Sequence, residues 1–483
     1  MSTKNCRKFK GDIENYLKKS RSNFESTIDG VFSDLNFKTW LCKANIIKRE
    51  GYHAAHILFI LLMLPLLRSK TVHGFCKKHW QNWSLAQKDT LYRFQQNDKY
   101  RWRSFMTKIS QQILHAVELE NIPQEDRCVV VDDTVLAKRG KKMQNVSYVY
   151  DHNAGRTVLG YCIATLGLLI PHGFYPLDFA FRFSSSRNAE SPEAIGDCRK
   201  SSGQRSYEAK HHTKLELALM MIRRAVANNL MPGYVLFDSW YAWPQFIQAI
   251  RKIDESIHVI CRLKDSNVRY EYKGDHYKLS ELYNKVKHQL KKDYKTGLLL
   301  TRVQIGVAGS NEKMVIVLAK GYTEPEVEPI KGKKKQKASK WAAFLSTHTR
   351  LHSATIIRKY AQRWPVEVCF KECKQQLGLG KEQSNDFNAQ VFSITASFLR
   401  YNILNYLNKF ENYASKGELF EYIADQSAVL TYAQRLWDFF REMLGVSIAA
   451  IFKLFSIEDD ISTYVETVNE SLQAYLPIRG CET

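Results

Sequence analysis

The stretch Cys128-Val129-Val130-Val131-Asp132-Asp133-Thr134 decides how the chain is read. An apolar, mostly β-branched run reads as a buried strand, and it meets two carboxylates where that strand should end. Working outward, Val158 to Ile170 and Phe174 to Phe183 read as two further strands joined by the turn Pro171-His172-Gly173, so the first three strands form an antiparallel meander. Leu215, Leu219, Ile222 and Val226 recur at helical spacing until Pro232-Gly233 stops them, and the next strand, Tyr234 to Phe237, runs into Asp238. Pro244 to Ile253 reads as a helix and His258 to Leu263 as a fifth strand.

Three strands, a helix, a strand, a helix and a strand is the element order of an RNase H-like fold: α/β, with a mixed sheet and flanking helices. The expected division of the chain follows from this core. Residues 1–120 are helical and read as a DNA-end-binding domain, with Ser84-Leu85-Ala86-Gln87 as a capping box opening the basic helix Leu85 to Gln96. Residues 121–263 and 351–380 make the catalytic domain, interrupted by a β-rich insertion over 264–350. Within that insertion Lys331 to Lys340 holds six lysines in ten residues, too charged to pack and placed to meet a phosphate backbone or solvent. Residues 381–483 are helical and suited to oligomerisation.

Composition narrows the function. The 483 residues are 45% hydrophobic, enough for a sizeable core, and carry 71 Lys+Arg against 49 Asp+Glu, a formal charge of +22. Such an excess points to a polyanionic partner, a nucleic acid before a basic enzyme without one. Ten scattered cysteines form neither a paired zinc pattern nor a secreted disulfide framework, and the polar, basic start lacks the apolar core of a signal peptide, so a cytoplasmic protein is expected. The most apolar run, Ala54 to Leu67, contains Pro65 and falls short of the roughly 20 residues of a membrane span. It reads as a buried helix.

Chemistry concentrates in a helical pattern from Ser353 to Leu377. Tyr360, Glu367 and Lys374 are seven residues apart and Arg363 lies three after Tyr360, so on one continuous helix the four would share an arc of about 60°. Pro365 breaks that continuity and predicts a kink or a restart with Trp364 and Pro365 at the new N-terminus. Arg363 and Glu367 alone could be an ordinary surface ion pair. With Asp133 and Asp238 at the ends of core strands, however, three acids converge beside a basic face, and carboxylates packed together repel one another unless cations neutralise them. Hard divalent ions fit such oxygen ligands.

The spacing Tyr360-x-x-Arg363-x-x-x-Glu367, then six residues to Lys374, resembles the YREK signature of insertion-sequence DDE transposases, the IS-four-like group. Asp133-Thr134 resembles the first-acid motif of that group and Asp238-Ser239-Trp240-Tyr241 the second. Trp364 resembles the aromatic that follows the signature Arg, and Lys340-Trp341 the pair before the last strand, Ala342 to Thr347, of its β-rich insertion. The resemblance runs from about Arg127 to Leu379. It implies a prokaryotic transposase that cuts and rejoins element ends and target DNA, dimeric on DNA, through a hairpin intermediate. It implies two metal ions, Mg²⁺ or substituting Mn²⁺, on Asp133, Asp238 and Glu367. Tyr360, Arg363 and Lys374 would grip phosphates, and Trp341 and Trp364 would hold a flipped base. A nuclease without strand transfer and a DNA-binding descendant without catalysis are the alternatives. Asp132 competes with Asp133, because adjacent strand residues point to opposite faces and at most one can face the metals. Cys369 and Cys373 read as core thiols, and His211-His212 lacks the spacing of a metal-binding helix.

Overall fold

The computed structural model describes residues 31–69, 71–78, 87–152, 154–184, 190–294, 296–307, 310–322 and 341–410. The chain divides into two compact units, Met1–Gln95 with Glu411–Thr483 and Gln96–Phe410. In the first, four helices are described: α1 (Phe37–Lys43), α2 (Ala54–Met63), α3 (Val72–Lys78) and α4 (Lys88–Gln95). The apolar run at Ala54 is indeed a buried helix, with Ile57, Leu58, Ile60 and Leu61 fully enclosed. The capping box expected at Ser84 and the lysine-rich stretch 331–340 lie outside the described residues. Among the described residues no helix is long and apolar enough to cross a membrane.

The second unit is built on one twelve-stranded sheet. Its heart is β1 (Cys128–Ala137), flanked on one side by the antiparallel β3 (Arg156–Ile170), with β4 (Gly173–Arg182) beyond it. On the other side β5 (Tyr234–Phe237) runs parallel to β1, and β6 (His258–Leu263) parallel to β5. This is the RNase H-like arrangement that the element order predicts. A short strand the sequence reading did not include, β2 (Ser147–Asp151), pairs with the start of β3. Val129, Val130 and Val131 are wholly buried, each contributing about 1.5–3 kcal/mol of burial. Gly233 lets β5 start against β1: its N–H donates to Arg127 O at 2.9 Å, and a Cβ there would collide with the backbone of Gln124 and Glu125.

The segment 264–350 does not stand apart from this sheet. β12 (Trp341–Ser346) pairs antiparallel with β6, and β11 (Ser310–Lys320), β10 (Leu299–Val307), β7 (Arg269–Tyr272) and β8 (Asp275–Lys278) continue outward in that order, with β9 (Lys291–Lys292) on β10. A helix, α9 (Leu279–Val286), follows β8.

The remaining helices clothe the sheet. α5 (Trp102–Ala116), α6 (Ser201–His211) and α12 (Phe387–Phe410) pack on β4, and α7 (Lys214–Ala227) packs on β3, β4 and α8 (Pro244–Arg251). α7 opens on a complete capping box, Thr213 accepting from the Glu216 amide while Glu216 accepts from the Thr213 amide. The pattern from Ser353 forms two helices, α10 (Ser353–Ala361) against β6 and β12, and α11 (Pro365–Gln375) against β1 and β4. Pro365 occupies the first turn of α11, where its missing N–H costs nothing, so the break falls where proline requires it.

Candidate active site

The pleat of β1 sorts its polar residues onto two faces. Asp132 and Thr134 point to the side covered by α11, where Arg363 donates to Asp132 at 2.5 Å and the Lys374 ammonium to Thr134 Oγ1 at 2.6 Å. Asp133 points to the other side, where the Lys214 ammonium at the start of α7 is its close ion-pair partner and the Cys162 thiol lies 3.6 Å away. This follows from the period of two along a strand.

Glu367 joins the Asp132 face. The Arg363 guanidinium bridges the two acids, donating also to Glu367 at 2.5 Å. Arg363 is only 8% exposed. Asp238 follows the last residue of β5, and its Oδ1 accepts from the Trp240 amide at 3.0 Å. It interacts electrostatically with Asp132 and Asp133, and with the cations Lys214 and Arg363. β1 does not end at its two acids, as the apolar run suggested, but continues to Ala137, so four acids meet midway along β1, just past the end of β5 and in the first turn of α11, with Arg363 and Lys214 as their contacting cations.

The electrostatic balance falls short of neutral. Burial pushes the Asp132 carboxyl up to about 7; Arg363 opposes that push, while Asp238 and Asp133 add to it. Burial likewise raises Asp238 above the ordinary carboxylate range against the pull of Lys214. These oxygen donors fit hard divalent cations, which would supply the missing charge. Among the described residues no three acid, His or Cys side chains already surround one ion position, and Arg363 holds Asp132 and Glu367 in its fork.

Two side chains anchor the segment that follows α11. Lys138, buried at the end of β1, donates to the carbonyls of Gly380 at 3.0 Å and Glu382 at 2.6 Å, and burial lowers its pKa to about 8. Arg400 of α12 donates to Leu377 O at 2.8 Å.

The other expected site residues are placed as follows. Tyr360 is 2% exposed with its ring centroid 5.0 Å from that of Phe344, a packing position in place of the expected phosphate grip. The break before Pro365 separates it from the stripe that one continuous helix would have kept together. Lys374 is held in at Thr134, and burial lowers its pKa. Trp341 stacks face to face on Tyr283, centroids 4.2 Å apart and planes 5° from parallel, and Trp364 is half-buried at the N-cap of α11. Cys369 and Cys373 are core thiols, both fully buried. Lys214 was not among the expected site residues. Its signal was the Thr213-x-x-Glu216 box, which sets it on the first turn of a helix beginning at the acids.

Comparison with known proteins gives two partial family matches. Residues 45–275 match the family described as DDE superfamily endonuclease, and residues 208–403 match Transposase DDE domain. The latter contains Asp238, Arg363, Glu367 and Lys374. No curated protein matches the chain. Among solved structures, a piggyBac transposase synaptic complex with hairpin DNA aligns at 11% identity over 84% of this chain and 79% of that one, with a TM-score of 0.43. Two overlapping stretches of the chain thus resemble DDE endonuclease and transposase domains, and these matches support a metal-dependent DNA-cutting enzyme.

Proposed function

We propose that this transposase cuts and rejoins double-stranded DNA at mobile-element ends by two-metal phosphoryl transfer, with Asp132, Asp238 and Glu367 as the ligands. The observation that carries the assignment is the sharing of one face by Asp132, Glu367 and Arg363 midway along β1, where its pairing with β5 stops. Asp133, on the opposite face and paired with Lys214, becomes a supporting acid in place of the first ligand that its Asp-Thr motif implies. Two bound ions, Mg²⁺ or Mn²⁺, would activate the attacking water or 3′-hydroxyl and stabilise the leaving oxygen.

The chain's own groups hold the DNA. The Arg363 fork that spans two carboxylates also matches two oxygens of a phosphate, and Lys374 and Lys214 supply point charges beside it. The net charge of +22 favours the duplex on both sides of the cut. A hairpin intermediate, a dimer on paired ends, insertion into target DNA and a prokaryotic host complete the reading, as the YREK-like spacing implies.

The test is incubation of the full chain with Mg²⁺ and labelled DNA bearing the repeats that flank its own gene. Nicked, hairpin and joined products are separated on a denaturing gel. Asp132→Asn, Asp238→Asn and Glu367→Gln should each abolish every product while leaving DNA binding in Ca²⁺ intact. Cleavage without joining would reduce the activity to that of a nuclease, and cleavage by Asp132→Asn at the wild-type rate would return the first ligand to Asp133.

A further inference from the structure

Past Asp238 the chain does something unusual with large aromatic rings. Trp240 is 51% exposed and Trp243 45%, the two exposed tryptophans among the described residues, although tryptophan is highly buried on average. Neither helps to close the core, as the neighbouring Tyr241 does at 0% exposure.

Their surroundings are cationic and aromatic. The Lys264 ammonium lies 3.8 Å from the centre of the Trp240 ring and that of Lys214 lies 5.9 Å away. His152 approaches the same ring at 5.6 Å and is itself 4.9 Å from Tyr150, which is 53% exposed. Beside them Trp243, Ser239, Leu263, Lys264 and Tyr270 line a small, open surface cleft. The Trp240 amide is bonded to Asp238, so the platform is tied to the acid.

We propose that Trp240, with Trp243, His152 and Lys264 around it, stacks one unpaired nucleobase of the strand being cut, while Lys264 and Lys214 meet the adjoining phosphates. Exposed π-faces interleaved with lysines are what single-stranded nucleic acid uses, since every base has a face to stack and every linkage a charge to neutralise. A protein partner needs apolar area without that density of cations. The proposal rests on the transposase reading and adds a base subsite on the β5 side of the acids, distinct from Trp341 and Trp364.

The test uses the full chain in Ca²⁺ with a short single-stranded oligonucleotide carrying one 2-aminopurine, whose fluorescence is quenched on stacking. Wild type should quench it and should not quench the same base within a perfect duplex. Trp240→Ala should lose most of the quenching and bind roughly ten-fold more weakly, and Trp240→Phe should retain most of both. Photocrosslinking from 5-iododeoxyuridine at the same position should map to Trp240 or Trp243. Wild-type quenching by Trp240→Ala, beside intact Asp132-dependent cleavage, would overturn the platform and leave the transposase reading standing. Equal losses in the Ala and Phe variants with lowered melting temperatures would also overturn it, making Trp240 structural. A wild-type chain that neither binds nor cuts DNA would overturn the transposase reading itself.

Discussion

Two buried clusters of acids and arginines lie in the same unit, and their charges are balanced in opposite ways. At Asp178 on β4, Arg224 donates at 2.8 Å while Arg103 and Arg205 stand 3.5 and 3.6 Å away, and Arg103 also grips Glu208 through both terminal nitrogens. Two acids sit among three arginines, and against the upward push of burial these hold the Asp178 carboxyl down at about 2. The cluster joins β4 to α5, α6 and α7 and is closed. At Asp132 four acids share Arg363 and Lys214, and the carboxyl rises to about 7. Burial is common to both, so the difference lies in the supply of cations. The first cluster carries its own excess of cations as folded and acts as a fastening. The second favours added positive charge, which the proposed metal ions would supply.

The sharpest way to break the comparison is to remove one acid from each. Asp132→Asn should lower metal-dependent cleavage by roughly 10³-fold or more, on the scale of losing an electrostatic contact made in the transition state. Its melting temperature in chelator should hold or rise. Asp178→Ala leaves buried arginines without their acid and should cost about 3–5 kcal/mol of stability. Chemical denaturation beside a nicking assay separates the two, and a destabilised Asp132→Asn with a normal Asp178→Ala would reverse the contrast.

The pH dependence sharpens it. The Asp132 carboxyl titrates at about 7 in the folded chain against an ordinary value of 3.8, so folding takes up a proton between those values. Its stabilising contribution is therefore full below the ordinary value and is lost as pH rises through about 7. In chelator this group should lower the melting temperature between about pH 5.5 and about pH 8, and Mn²⁺ should reverse the fall, since a bound cation favours the carboxylate. Asp132→Asn should flatten both effects. For Asp178 the sign is opposite: its depressed pKa gives stability present above 3.8 and lost only as pH falls towards about 2.

Smaller effects test the two faces of β1. Asp133→Asn should keep measurable cleavage, reduced by roughly ten-fold through loss of the Lys214 pair, about one contact's worth of free energy. Inactivity equal to that of Asp132→Asn would place both acids in the metal centre. Lys374→Met should lower the slope of DNA affinity against salt by about 0.9, the value of one phosphate contact. An unchanged slope would leave Lys374 as a strut beneath Thr134.

Local signals were enough for the architecture. The β-branched run at Cys128, the turn at Pro171 and the restart at Pro365 are short-range steric effects and stand where the sequence put them, whereas the helix before Pro232-Gly233 already ends at Ala227 and the strand at Cys128 runs on past its acids to Ala137. Asp238 and Glu367 could be singled out because one follows a strand and the other opens a helix, ends that face ligands. The sequence also set the rule that only one of Asp132 and Asp133 can share a face with Glu367, since side chains alternate along any strand. Which of them does so was decided by tertiary structure, because it depends on the side from which α11 approaches β1. Packing likewise buried Tyr360 against Phe344, stacked Trp341 on Tyr283, brought Lys214 to Asp133 and left Trp240 in the open. Spacing along one helix defines a stripe, but a contact requires two elements to meet, and the second is dozens of residues away in the chain.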